Sequence, residues 1–215
     1  MNTYPNAKGG AQKLYKSYII YIIAAIITII ASIATISGIL LANSDAAYQT
    51  SEVGIFTGVS ATIALVGAFV TIAAGILQIL GILQASKDED SFKTALIIFV
   101  LSIIVSCLAG IEALSGLKAI FTTVSTVLMT ASGLLTIKGF CKLLEERGAE
   151  KTAQLGHKLE KLAIVIMVIK VAIDLVSLAL PLAAALLVVV YLVIYMIFYF
   201  RMLGFLKRTA VHMTD

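Results

Sequence analysis

Long apolar runs separated by short polar breaks set the pattern of this chain. Six runs stand out, at Tyr18–Leu41, Val53–Leu83, Thr94–Leu114, Ala119–Phe140, Leu162–Leu180 and Leu182–Leu203. None alternates apolar and polar residues, which a membrane β-barrel would need over segments of about ten residues. A helix crosses the apolar core of a bilayer with about 20 residues at about 1.5 Å each. The second run exceeds that length, so it is expected to tilt or to project from the membrane. The pattern predicts an all-α fold, a polytopic transmembrane helical bundle of six spans, forming a single domain over residues 1–215.

The breaks carry the topology. The first, from Asn43-Ser44-Asp45 to Glu52, is polar and acidic, and the second, Lys87 to Lys93, is charged. Ser115-Gly116 marks a short turn, and Pro181 makes the last turn tight. Lys142 to Lys161 reads as an amphipathic helical elbow interrupted at Gly148. Cytoplasmic loops retain Lys and Arg. Lys8, Lys13 and Lys16 precede the first span, and Lys87 and Lys93 follow the second. Lys142, Arg147, Lys151, Lys158 and Lys161 follow the fourth, and Arg201, Lys207 and Arg208 close the chain. The other side offers only Lys118, while Lys138 and Lys170 lie within runs. Both termini are therefore expected in the cytoplasm, with the chain in the plasma (inner) membrane. The first run is too long for a signal-peptide apolar region of about 7–15 residues, so it is expected to stay uncleaved.

Composition agrees. The chain is 60% apolar and 13% charged, against about 45–50% and about 25% in soluble domains. A bilayer accepts apolar surface that a soluble core of this size could not hide. The net charge of +4 comes from basic residues at helix ends rather than from a clustered patch, so no nucleic-acid partner is expected. Cys107 falls inside an apolar run and Cys141 at the cytoplasmic end of another, which argues against a disulfide.

The spans pair into three hairpins over 14–84, 92–144 and 157–208. The second helix of each ends alike: Gln78-Ile79-Leu80-Gly81, Thr136-Ile137-Lys138-Gly139 and Arg201-Met202-Leu203-Gly204. A polar or basic residue follows each Gly three positions on, at Gln84, Lys142 and Lys207. Lys16, Lys93 and Lys161 stand just ahead of the first helices. Hairpins that all enter and leave on one side are parallel repeats about an axis along the membrane normal. Helix-end Gly and Lys residues arising independently would give the same marks. The plan of three short hairpins in this length resembles bacterial acid-resistance membrane proteins of the HdeD type. The resemblance covers the plan of the whole chain and rests on no diagnostic motif. Mitochondrial carriers share the three-hairpin plan, but their Pro-x-acidic-x-x-basic signature is absent.

Small residues mark candidate helix contacts, because they let backbones approach in lipid. Gly54 and Gly58 form a GxxxG, and Gly67, Thr71 and Gly75 recur at four-residue spacing. Such faces serve packing within one protomer, or a seam with a second copy or another membrane protein.

Ionisable groups at mid-bilayer are costly, at about 2.5–3.5 kcal/mol on insertion scales, and are the best functional pointer. Lys170 lies near the centre of the fifth run, and Asp174 follows four residues on, on the same helix face. Lys170 precedes Pro181 by about as much as Tyr191 follows it, so the two share a depth. Tyr191, Tyr195 and Tyr199 make a hydroxyl stripe. Lys170, Asp174 and Tyr191 are expected to face the interior as one cluster. That cluster is either a substrate, ion or proton site or an ion pair that locks the third hairpin. Glu112 is a rim charge or guards an outer entrance, and Gln78, Thr136 and Arg201 are candidates for an inner polar ring.

The chain carries no phosphate loop, no G-x-S-x-G, no H-E-x-x-H and no Cys/His metal spacing. No cofactor, metal or enzyme activity is expected. His157 and His212 belong to no matched ligand set, and Asp88-Glu89-Asp90 reads as a solvated turn. Two functions follow. The first is a transporter or channel component with a polar intramembrane site. The second is a non-transporting partner, scaffold or substrate-binding subunit of a larger membrane complex.

Overall fold

The computed structural model describes the backbone of residues 4–42, 49–111, 116–179 and 181–213. It is helical, with no strand among the described residues. The helices are α1 (Pro5–Ala42), α2 (Gln49–Ala85), α3 (Ser91–Ala109), α4 (Lys118–Glu146), α5 (Glu150–Ala179) and α6 (Pro181–His212). Four described stretches are long and apolar enough to cross a membrane: Pro5–Ala31, Ala61–Ala85, Ser91–Ala109 and Lys118–Glu146. The expected fifth and sixth spans fall on α5 and α6, part of whose side chains lie outside the described residues. Large apolar side chains such as Ile97, Ile120, Val168 and Phe200 point outward. Exposure on that scale marks a surface made for lipid. The chain is a helical membrane protein.

Helix α1 starts well ahead of the apolar run at Tyr18. Pro5 at its first position supplies a preset φ and lacks the N–H that would go unpaired. Asp88 closes the end: the Ala7 N–H donates to Asp88 Oδ2 at 2.6 Å, and Asn6 Nδ2 donates to Oδ1 at 2.8 Å. A carboxylate there also meets the positive end of the helix dipole. The stretch looked polar, yet Ala7, Ala11 and Leu14 form a buried stripe at helical spacing. The acidic turn is thus a tie rather than a solvated loop, since Glu89 also pairs with Lys142 at 2.8 Å.

The elbow at 142–161 is not an element of its own. Its first part completes α4 and its second opens α5, with the break at Gly148 as the pattern predicted. Gly148 takes φ +71°, which a side chain would resist. Its N–H donates to Glu145 O at 2.9 Å, and the Ala149 N–H donates to Leu144 O at 2.8 Å. This pair of bonds satisfies the last carbonyls of α4.

The chain forms two compact units. Residues Lys16–Gln78 form one, in which Ser17 Oγ donates to Ala74 O at 2.8 Å between α1 and α2. The other holds Met1–Tyr15 and Ile79–Asp215. In it α3 packs on α4, α4 on α5 and α5 on α6. Its core is aromatic: Phe92, Phe140 and Phe205 are fully buried. Phe92 meets Phe140 edge-on with ring centroids 4.7 Å apart, and Phe140 meets Phe205 at 6.5 Å.

Two of the three glycines at similar helix ends are contact points in this unit. A Cβ on Gly81 would stand 3.0 Å from Gly10 O and 2.9 Å from the Leu14 side chain. A Cβ on Gly139 would stand 2.8 Å from the Phe92 ring and from Ser91 Oγ. Only Gly permits these approaches. Gly204 is different, because a Cβ there would meet nothing within 4 Å.

Candidate functional site

The polar group in the apolar part of α5 is built on the face that the helix packs. Leu159, Ala163, Ile166 and Ile173 are buried there. Lys170 continues the same helical series, between Ile166 and Ile173. Lys170 Nζ donates to Asp174 Oδ1 one turn on. The two side chains are only 28% and 20% exposed. In apolar surroundings neither charge is tolerable alone, and the pair cancels most of that cost.

On α6 the tyrosines form the expected stripe. Tyr191 and Tyr195 stack with centroids 5.3 Å apart, and Tyr195 meets Tyr199 edge-on at 4.7 Å. The Tyr195 and Tyr199 hydroxyls lie 3.0 Å apart, in hydrogen-bonding distance. The arrangement therefore sets a cation, a carboxylate and phenol hydroxyls along neighbouring helices. Such groups have the donors and acceptors to exchange hydrogen bonds with a small polar or charged solute.

The other predicted residues fall differently. Glu112 lies outside the described residues. The Thr136 hydroxyl is buried and donates to Ser132 O of its own helix at 2.9 Å. Arg201 is exposed and turns to a cavity between α5 and α6. No hydrogen bond joins Thr136 to Arg201 among the described residues. Gln78 is buried in the other compact unit. On α2, Gly54 has a described backbone only, and Gly58 has open space around its Cβ position. Gly67 is buried, and its carbonyl accepts the Thr71 hydroxyl at 2.9 Å. Gly75 stands at ordinary contact distance from the Tyr21 hydroxyl, 3.7 Å. The tightest backbone approach is instead at Gly10 and Gly81, where a Cβ on Gly10 would stand 2.6 Å from Gly81 O.

A second polar cluster lies across the Gly148 turn, where sequence spacing gave no ligand set. Ligand atoms of Cys141, His157 and Glu160 all stand within 4.8 Å of one another. His157 Nε2 lies 2.9 Å from Glu145 Oε1, and Nδ1 lies 3.4 Å from Glu160 Oε2. The hydrogen bond to Glu145 holds the imidazole pKa above its usual value, which favours a cation bridging two carboxylates. Cys141 lies just past the apolar run of α4, and Gly156 leaves room for its thiol. The set offers zinc-type donors. With His157 bridging its two carboxylates, the cluster also stands as a clasp between α4 and α5. Only the His157–Glu160 pair at i,i+3 was visible in sequence, because Cys141 comes from another helix.

No family model, curated protein or solved structure matches the chain.

Proposed function

We propose that the chain is a six-span protein of the plasma (inner) membrane, with three parallel helical hairpins and both termini in the cytoplasm. Its function is that of a transporter or channel component, with the polar centre at Lys170, Asp174 and Tyr191. One observation carries this reading: an ion pair on the packed face of an apolar stretch of α5. A helix keeps charge at such a place at a cost of several kcal/mol unless the charge is used or paired. The neighbouring tyrosines give it partners that can exchange with a solute.

The test is a Lys170→Met, Asp174→Leu double variant, reconstituted in liposomes and assayed for ion conductance and proton uptake. A folded variant without the flux of the parent supports the site. Flux equal to the parent's removes it, and loss of folding assigns the pair to structure. The second reading is a non-transporting accessory subunit, joined to another copy or another membrane protein. Its motivation is Gly58, a small residue on α2 with open space around its Cβ position in the single chain. Co-purification of one stoichiometric membrane partner, with no flux from the chain alone, would select it.

A further inference from the structure

The three repeat glycines meet different fates, and the third opens a site. Gly81 and Gly139 are closed by Gly10 with Leu14 and by Phe92 with Ser91, respectively. At Gly204 the corresponding notch faces a cavity of about 400 Å³ between α5 and α6. That volume falls in the range of small-molecule sites, about 300–1,000 Å³. Its apolar floor is Leu159 and Phe205, both buried, with Leu155 beside them. Three cations line it: Lys158 from α5, and Arg201 and Arg208 from α6. No salt bridge engages any of the three among the described residues. Elsewhere in the same unit, Lys93, Lys142 and Lys170 each have a carboxylate partner.

We infer that this notch binds the phosphate of an anionic phospholipid, with the lipid's apolar part laid against Leu155, above the buried Leu159 and Phe205. Three reasons support that ligand class. Two guanidiniums and an ammonium around one cavity match a phosphate, which guanidinium grips in bidentate fashion. An apolar floor beneath a cationic rim fits an amphiphile better than a free ion, which gains nothing from Leu and Phe. A basic pocket at helix ends is also where a membrane surface presents anionic headgroups. The notch stands 12 residues from Lys170 along α5, from Lys158, or about 18 Å at 1.5 Å per residue. It is therefore separate from the Lys170–Asp174 pair and does not depend on a transport role.

The test is lipid retention by the full chain in detergent, read by native mass spectrometry. Phosphatidylglycerol and phosphatidylcholine are titrated in parallel, with inorganic phosphate as competitor. The parent is expected to hold one phosphatidylglycerol in preference to phosphatidylcholine, undisturbed by millimolar inorganic phosphate. Arg201→Gln with Arg208→Gln should weaken it about thirtyfold. Gly204→Leu, which fills the notch and keeps all three cations, should weaken it as much. A Cβ at this position meets nothing within 4 Å, so the fold should persist, and circular dichroism checks this. Lys142→Gln, away from the cavity, should leave retention unchanged. Equal retention of the two lipids, or full retention by Gly204→Leu, overturns the inference. Displacement of the lipid by inorganic phosphate also overturns it, in favour of a soluble phosphate ligand.

Discussion

The α3–α4 and α5–α6 pairs solve one problem with different chemistry. In the first, neutral hydroxyls cross between helices: Ser132 Oγ donates to Ala95 O at 2.7 Å, and Ser125 Oγ to Ser102 O at 2.9 Å. Gly139 brings the helices close, and Phe92 fills the contact. In the second, the packed face carries the Lys170–Asp174 pair, and the repeat glycine stays open. Hydroxyl-to-carbonyl bonds cost little to bury, because each group is neutral and has a partner. A charged pair is a poor way to hold helices together, since apolar residues often do as well or better. The difference therefore separates a pair held by neutral hydroxyl bonds and a close glycine approach from a pair that places charge on its packed face.

Four comparisons press on this contrast, in falling order of effect. Lys170→Met alone leaves Asp174 without its cation, and should destabilise by about 3 kcal/mol relative to the double Lys170→Met, Asp174→Leu variant. Thermal unfolding in detergent measures the gap; no gap would make the pair electrostatically idle. Gly139→Ala should cost about 1–3 kcal/mol by overpacking against Phe92 and Ser91, while Gly204→Ala should be neutral or slightly stabilising. Equal costs at the two positions would erase the contrast between the pairs. Ser132→Ala should cost about 0.6–1 kcal/mol, the usual worth of one interhelical hydroxyl bond in membranes. Tyr195→Phe, which removes one hydroxyl from the contact with Tyr199, should cost less than about 0.6 kcal/mol. Its effect on flux should exceed its effect on stability if the stripe serves solutes.

Much of this was legible in the chain. Uninterrupted apolar runs carry their own evidence, because backbone groups in lipid must be satisfied within a helix. The break at Gly148 was equally plain, since it needs a backbone conformation that favours Gly. The pairing of Lys170 with Asp174 follows from i,i+4 spacing on one helix. Contacts between helices were harder to read. Asp88 looked like a loop charge because nothing local says that α1 ends its first turn against it. The polar start of α1 hid a three-residue stripe, Ala7, Ala11 and Leu14, too short and too small to register as a span. Cys141 and His157 meet only after the chain reverses at Gly148. Of the three glycines at similar helix ends, Gly81 and Gly139 lie at close contacts and Gly204 does not, a difference set by side chains from partner helices.

The central claim is that the Lys170 site is used, and so must be reached by water. A Lys170→Cys, Asp174→Asn variant in a Cys107→Ser, Cys141→Ser background puts one thiol at that point with no lone carboxylate beside it. Exposed to a membrane-impermeant thiol reagent in sealed vesicles, it should be labelled, while Val168→Cys, on the outward face, should not. Absence of labelling at position 170 from either side of the membrane would contradict the account and leave the ion pair as a dry structural lock.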